Sequence, residues 1–124
     1  MTRDDEAPKE LLAAFEAYER ALATDDLAAL GAAFALGDDT LRGDDQGLLV
    51  GHDAISAFRT RRGGIRPRRI SSLRYRRLGA ATALLVAESE YDDGGRGLQT
   101  QVWQRTADRW LIIAAHVTSR LSTR

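Results

Sequence analysis

The sequence has no cysteine, only two histidines and two prolines, and few aromatic residues. Without cysteine, disulfides, thiol nucleophiles and thiolate metal sites are excluded. His52 and His116 alone do not suggest a histidine-rich metal site. No apolar run approaches the roughly 20 residues that a membrane helix needs, and the acidic start of the chain lacks the layout of a signal peptide. We therefore expect a soluble cytoplasmic protein without a metal.

Common nucleotide-binding and hydrolase motifs are missing as well. The chain has no G-x-G-x-x-G, no G-x-x-x-x-G-K-[ST] and no G-x-S-x-G. Basic and acidic residues balance at 18 each, so net charge indicates no partner. Nine arginines lie within 59–77, but Tyr75 is the only aromatic among them, and we interpret this stretch as a solvated strand face. We expect no nucleic-acid partner, no membrane partner and no cofactor.

The length and the apolar spacing predict one domain that begins with helices. We expect the 124 residues to form a single domain over 1–124. A helix over 7–24 is amphipathic because apolar side chains recur at helical spacing, at Leu11, Phe15, Tyr18 and Leu22. Two further helices are expected over 25–36 and 51–62.

Strands are expected between the last two helices and after the third. Short apolar runs on either side of "GDDQ" predict a small hairpin. A weakly alternating stretch and then long strands are expected over 68–78, 81–91, 98–106 and 110–119. Segregated helices and antiparallel strands indicate an α+β fold, a cone-shaped curved antiparallel sheet packed against three N-terminal helices. The open mouth of such a cone is a usual place for a small-molecule site.

His116 is a titratable ring within the apolar final strand "LIIAAHVTSR". Regular alternation places it on one face with Trp110, Ile112, Ala114 and Thr118. Pairing across "TADR" would bring Gln101 of the preceding strand next to His116, or one position diagonal to it. Spacing alone favours a buried histidine with one hydrogen bond, and the alternative is a donor that lines a pocket.

Two more polar side chains stand out in apolar segments. Tyr18 lies on the apolar stripe of the first helix, and a buried tyrosine hydroxyl usually finds a partner. Its hydroxyl either bonds a backbone carbonyl or points into the cone. Arg42 follows a short apolar strand in "TLRG". Most arginines are surface charges, but a buried one would need an anion, such as a substrate carboxylate bound by two N–H groups.

Four stretches carry a family resemblance across almost the whole chain. They are "AYERAL" (17–22), "TLRG" through "GHDAISAFR" (40–59), "LQTQVWQR" (98–105) and "RWLIIAAHVTS" (109–119). On these motifs the chain resembles the AtzH-like group, which includes the oxalurate-catabolism protein HpxZ. That group belongs to the SnoaL-like, nuclear-transport-factor-2-like superfamily. The pattern W-x-I-x-A-A-H-V in the last stretch is among the most specific parts of the match.

The resemblance implies a cone-shaped α+β barrel, often a homodimer formed through the sheet. It also implies decarboxylating amidohydrolysis of a small N-carboxylated urea, with a tyrosine on the first helix and an arginine after the first short strand. Tyr18 and Arg42 occupy those positions. An arginine after the third helix and a histidine in the last strand are matched by Arg59 and His116. In the family an aromatic residue and a glycine usually follow the first arginine directly, whereas this chain runs "RGDDQGLLVG".

We therefore hypothesise an amidohydrolase that acts without a metal on a small dianion, such as a carboxylated urea or an oxalurate-like acid. Arg42 would bind one carboxylate, and Arg59 or His116 would bind the other end. Gln101 would complete the substrate contacts, and His116 is then expected to face the mouth of the pocket. Tyr18 would donate a proton to the nitrogen that leaves when the C–N bond breaks.

Two other functions stay open at this point. A different SnoaL-like enzyme, an isomerase or cyclase acting on an apolar ring, would need a base inside the cone. His116 is the candidate for that base, since Glu88 and Glu90 lie near a strand end. A non-catalytic dimeric binding module would instead leave Tyr18 and Arg42 bonded to each other or to the backbone, with no cavity between them.

Overall fold

A computed structural model describes residues 6–121 and shows the predicted α+β architecture. The helices are α1 (Lys9–Thr24), α2 (Leu27–Ala33) and α3 (His52–Arg62). The strands are β1 (Leu41–Asp44), β2 (Gly47–Val50), β3 (Arg68–Gly79), β4 (Thr82–Tyr91), β5 (Arg96–Thr106) and β6 (Arg109–Arg120). None of the helices in this part of the chain is both long and apolar enough to cross a bilayer.

The predicted stripe on α1 is buried, whereas α2 is shorter than the sequence predicts. Leu11, Phe15, Tyr18 and Leu22 all point into the core. Helix α2 starts after Asp26, whose side chain accepts the backbone N–H of Ala29. It ends at Ala33 because the next residue is extended and forms a parallel bridge with β6. Residues 34–36, predicted to be helical, are not part of α2, and Phe34 and Ala35 bond β6 instead.

The six strands form one curved, unclosed sheet in the order β2-β1-β6-β5-β4-β3. All neighbours are antiparallel except β1 and β6, which are parallel. Directly paired residues point to the same face of a sheet. One such row runs from Arg42 through Ala115 and Gln101 to Leu85, on the inner face that the helices cover. This row positions Arg42 and Gln101 on the same side of the sheet.

A bulge in β6 changes which side chains face inward. Trp103 pairs with Ile112, but the preceding residue Val102 pairs with Ala114, so Ile113 has no partner on β5. An extra residue of this kind reverses the alternation beyond it. Trp110 and Ile112 are buried on the inner face, while His116 is exposed on the outer face.

Candidate functional site

The hydroxyl of Tyr18 and the guanidinium of Arg59 meet inside the cone. Nη2 of Arg59 donates to Oη of Tyr18 over 2.6 Å, and the two residues are 3% and 6% exposed. The guanidinium carbon of Arg59 lies 5.5 Å from the Tyr18 ring centre and 5.3 Å from that of Phe34. Arg59 lies within α3 rather than after it, because the helix continues to Arg62. The Arg59 guanidinium therefore contacts both the phenol of Tyr18 and the ring of Phe34.

The remaining donors of Arg59 are unpaired. Its Nε and Nη1 are buried and have no hydrogen-bond partner among residues 6–121. A buried charge without a counter-ion is costly, and proteins normally pair or hydrogen-bond such a group. Cation–π contacts with two rings offset part of that cost. The arrangement leaves a buried cation that can accept an anion.

Arg42 is also buried, but its guanidinium already has a carboxylate partner. Its Nη1 donates to Oδ2 of Asp44 over 2.8 Å, and its guanidinium carbon lies 4.4 Å from the ring centre of Phe58. The other oxygen of Asp44 accepts the backbone N–H of Gln46. Burial opposes ionisation of Asp44, but the hydrogen bonds from Arg42 and Gln46 outweigh it and lower the pKa of that carboxyl.

A cavity of about 280 Å³ opens beside Arg42, Asp44, Phe58, Arg62 and Tyr91. The guanidinium carbon of Arg62 lies 5.1 Å from the same Phe58 ring that Arg42 covers. Burial lowers the pKa of Arg62, and the positive charges of Arg59 and Arg42 lower it further. Arg62 therefore lies close enough to Arg59 and Arg42 to feel both charges. The cavity wall combines the guanidiniums of Arg42, Arg62 and Arg66 with the carboxylates of Asp44 and Asp45.

A ladder of polar side chains runs along the inner face of β5. Trp103 Nε1 donates to Gln101 Oε1 over 2.8 Å, and Gln101 Nε2 donates to Gln99 Oε1 over 3.3 Å. Gln99 then donates to Glu19 on α1, which also accepts from Arg68 over 2.8 Å. Burial disfavours the charge of Arg68, but Glu19 outweighs this effect and raises the pKa of Arg68. The ladder fixes the side chain of Gln101.

His116 does not face the inside of the cone, and the prediction that it lines the pocket mouth is wrong. The bulge at Ile113 moves it to the opposite face from Trp110 and Ile112. There it pairs across the sheet with Thr100 and borders a shallow outer depression. Gln101 pairs with the neighbouring Ala115 and points inward, so Gln101 and His116 lie on opposite faces.

Helix α3 contacts two of the predicted site residues, Tyr18 and Arg42. Tyr18 contacts Arg59, whereas Arg42 contacts Asp44 and Phe58. The cavity beside Arg42 is not lined by Tyr18, which borders a separate cavity with Trp103 and Trp110. Gln101 points to the same face of the sheet as Arg42. Their backbones are roughly 9.5 Å apart, because β6 lies between β1 and β5. Among the described residues no three histidine or acidic side chains cluster as metal ligands would.

Sequence reasoning missed Glu19, Asp44 and Arg62. A signal for Arg62 was present, because Phe58 and Arg62 are four residues apart in "FRTRR" and share one face of a helix. Glu19 follows Tyr18 directly in "AYERAL", but its contacts with β3 and β5 span 49 and 80 residues of sequence. Asp44 was interpreted only as part of a turn.

Both the sequence and the fold are similar to those of known proteins. The sequence profile described as AtzH-like matches residues 3–123. A crystal structure of a cystatin-like fold protein from Burkholderia xenovorans has 33% identity and a TM-score of 0.81, with 91% of each chain covered. A protein of unknown function from Pectobacterium atrosepticum has 30% identity and a TM-score of 0.85, covering 97% of this chain and 98% of that one.

More distant structures share the fold alone. A ketosteroid isomerase-like protein from Erwinia carotovora atroseptica has 16% identity and a TM-score of 0.73, covering 91% of this chain and 95% of that one. No functionally curated protein matches the sequence.

Proposed function

Because the chain belongs to the AtzH-like family, we propose that it is a small-molecule enzyme, a decarboxylating amidohydrolase. Its substrate is a small N-carboxylated urea or an oxalurate-like dianion. The observation that carries this proposal is the buried guanidinium of Arg59, which bonds the Tyr18 phenol and has two donors without a partner among residues 6–121. A buried, unpaired cation beside a phenol suits an anion that must receive a proton.

The positive groups around the cavity support an anionic substrate. Arg42 and Arg62 border the cavity. Burial lowers the pKa of Arg62 most, and the nearby charge of Arg59 lowers it further. Guanidinium groups bind carboxylates with two parallel N–H···O bonds. In the proposed complex Arg42 and Arg62 bind a carboxylate, and the nitrogen end of the substrate lies toward Tyr18.

In an N-carboxylated urea, the proposed chemical step breaks the bond between the carboxylate carbon and the ureido nitrogen, a bond that an oxalurate-like acid does not contain. Carbon dioxide leaves, and the electron pair of the C–N bond stays on nitrogen. Tyr18 supplies the proton that this nitrogen takes up, and its phenolate recovers a proton from solvent. Since Tyr18 accepts a hydrogen bond from Arg59, its own hydrogen is free to be donated. Arg59 then stabilises the negative charge that develops on the phenolate oxygen.

The isomerase or cyclase alternative has less support. It needs a base inside the cone, and His116 lies on the outer face. Glu19 is on the inner side, but Arg68 and Gln99 occupy its carboxylate. The binding-module alternative requires that Tyr18 and Arg42 bond each other or the backbone, whereas Tyr18 bonds Arg59 and Arg42 bonds Asp44.

Turnover of carboxylated ureas by Tyr18→Phe and Arg42→Ala tests the proposal. Loss of one donor that stabilises transition-state charge typically slows catalysis by about 10²–10³-fold, and we expect losses of that size in both variants. Release of carbon dioxide or bicarbonate is the measurement, and circular dichroism shows whether each variant is folded. If both folded variants match the parental rate, the assignment is wrong.

A further inference from the structure

The carboxylate that Arg42 already binds lies inside the cavity wall. Oδ2 of Asp44 is 2.8 Å from Nη1 of Arg42, and the side chains are 14% and 6% exposed. Both residues border the cavity of about 280 Å³. Asp44 therefore occupies the kind of position that a ligand carboxylate would take on this guanidinium.

Arg62 adds a second guanidinium to this cavity, whose wall also includes the carboxylates of Asp44 and Asp45. Its Nε donates to the backbone oxygen of Gly63, and it has no carboxylate partner among residues 6–121. Arg66, which also borders the cavity, pairs with Asp93 instead. Arg62 and Arg42 both lie over the ring of Phe58, at 5.1 and 4.4 Å from its centre. The ring thus holds two guanidiniums at one site that contains one paired carboxylate.

We propose that Asp44 is an internal competitor of the substrate, and that a ligand carboxylate replaces it on Arg42 while Arg62 supplies the second guanidinium. This inference rests on the proposed function, because it concerns the same anion site. It makes Asp44 a specificity-determining residue. Only an anion that engages both guanidiniums gains enough to displace a carboxylate already in place, which selects against anions that reach only one of them.

The hairpin allows this exchange without unfolding. Asp44 is the last residue of β1, next to the two-residue turn Asp45–Gln46. Its Oδ1 accepts the N–H of Gln46 while Oδ2 binds Arg42. The bond to Gln46 holds the turn, so the carboxylate can leave Arg42 by a rotation of its own side chain.

Binding of malonate to the intact protein, measured by isothermal titration calorimetry at fixed ionic strength, tests the inference. Asp44→Asn keeps an oxygen for Gln46 but loses the charge that competes for Arg42, so we expect malonate to bind about tenfold more tightly. Asp44→Ser provides a second variant in case the amide disturbs the turn. Asp45→Asn removes a charge from the same turn without touching Arg42, and its gain is expected to stay below about threefold.

Arg62→Gln is expected to weaken malonate binding by about tenfold or more, whereas Arg61→Gln, an exposed neighbour on α3, leaves it unchanged. The inference is overturned if Asp44→Asn and Asp44→Ser bind malonate no better than the parent, or if Asp45→Asn gains equally. It is also overturned if no form binds malonate. If the Asp44 variants bind malonate more tightly but the protein does not turn over carboxylated ureas, the proposed function is contradicted. The competition between Asp44 and a ligand carboxylate at Arg42 would still be supported.

Discussion

At the scale of single residues, the unusual feature is a cation kept inside the fold without an acid beside it among residues 6–121. Arg59 is 3% exposed and contacts the phenol of Tyr18 and the ring of Phe34 rather than a carboxylate. Arg68 shows the ordinary solution, since Glu19 binds it with both oxygens. A side chain that only stabilises the fold would be expected to resemble Arg68. Arg59 is better explained by a ligand.

Replacing Arg59 with methionine is therefore expected not to destabilise the protein. Replacing a buried ion pair by apolar side chains is often neutral or stabilising by about 1–4 kcal/mol. Removing the Arg59 guanidinium likewise removes a desolvation cost, and loss of the bond to Tyr18 places the expected gain at the low end of that range. Arg68→Met is the matched control, because it leaves Glu19 without its partner and is expected to cost about 3 kcal/mol or more.

Urea denaturation measures both free energies of unfolding. A loss for Arg59→Met as large as the loss for Arg68→Met would show that Arg59 is a structural residue. The same Arg59→Met variant is expected to lose turnover of carboxylated ureas while it stays folded.

At the scale of helices and strands, regular alternation gives the correct faces for β5 but not for the end of β6. Gln99, Gln101 and Trp103 share one face, as alternation predicts, and the structure shows that this face points inward. On β6 a single unpaired residue, Ile113, turns His116 outward. No glycine or proline in "LIIAAHVTSR" marks the bulge, because it arises from pairing with β5. The apolar content of this strand could be predicted from sequence, whereas the direction of its histidine could not.

The outer face of the sheet has an apolar patch. Leu41, Leu48, Val50 and Leu98 are 37%, 64%, 54% and 47% exposed. Val102 and Ala114 extend the patch across β5 and β6, beside a depression that His116 borders. Exposed apolar patches on one face of a sheet commonly mark a contact with another protein surface. We propose that a second copy of this chain covers the patch.

For this homodimer we expect analytical ultracentrifugation to give a mass of twice 13.6 kDa. Leu48→Arg places a charge in the proposed contact and is expected to give the monomer. Leu36→Arg is the control, because Leu36 is 82% exposed and lies outside the patch, after α2. A monomeric parent, or a Leu48→Arg variant that remains dimeric, would contradict this assembly.

At the scale of the whole molecule, the sequence predicts the layers but not how they meet. Helical spacing in α1 and apolar strands after residue 68 are local signals, and both predict the observed elements. The contact between Tyr18 and Arg59 joins residues 41 positions apart. It depends on α1 and α3 meeting inside the cone, and no local pattern encodes that distance. The cone thus brings the phenol of Tyr18 beside Arg59 and places Arg42 and Arg62 at one cavity.

A crystal structure of the protein with oxalurate bound tests the central claim most directly, namely that this inner site binds a small carboxylate. We predict that the carboxylate lies within about 3 Å of guanidinium nitrogens of Arg42 or Arg62, with the ureido end directed toward Tyr18 and Arg59. Oxalurate bound only on the outer face near His116, or no density at a concentration that saturates the protein in solution, would contradict the account.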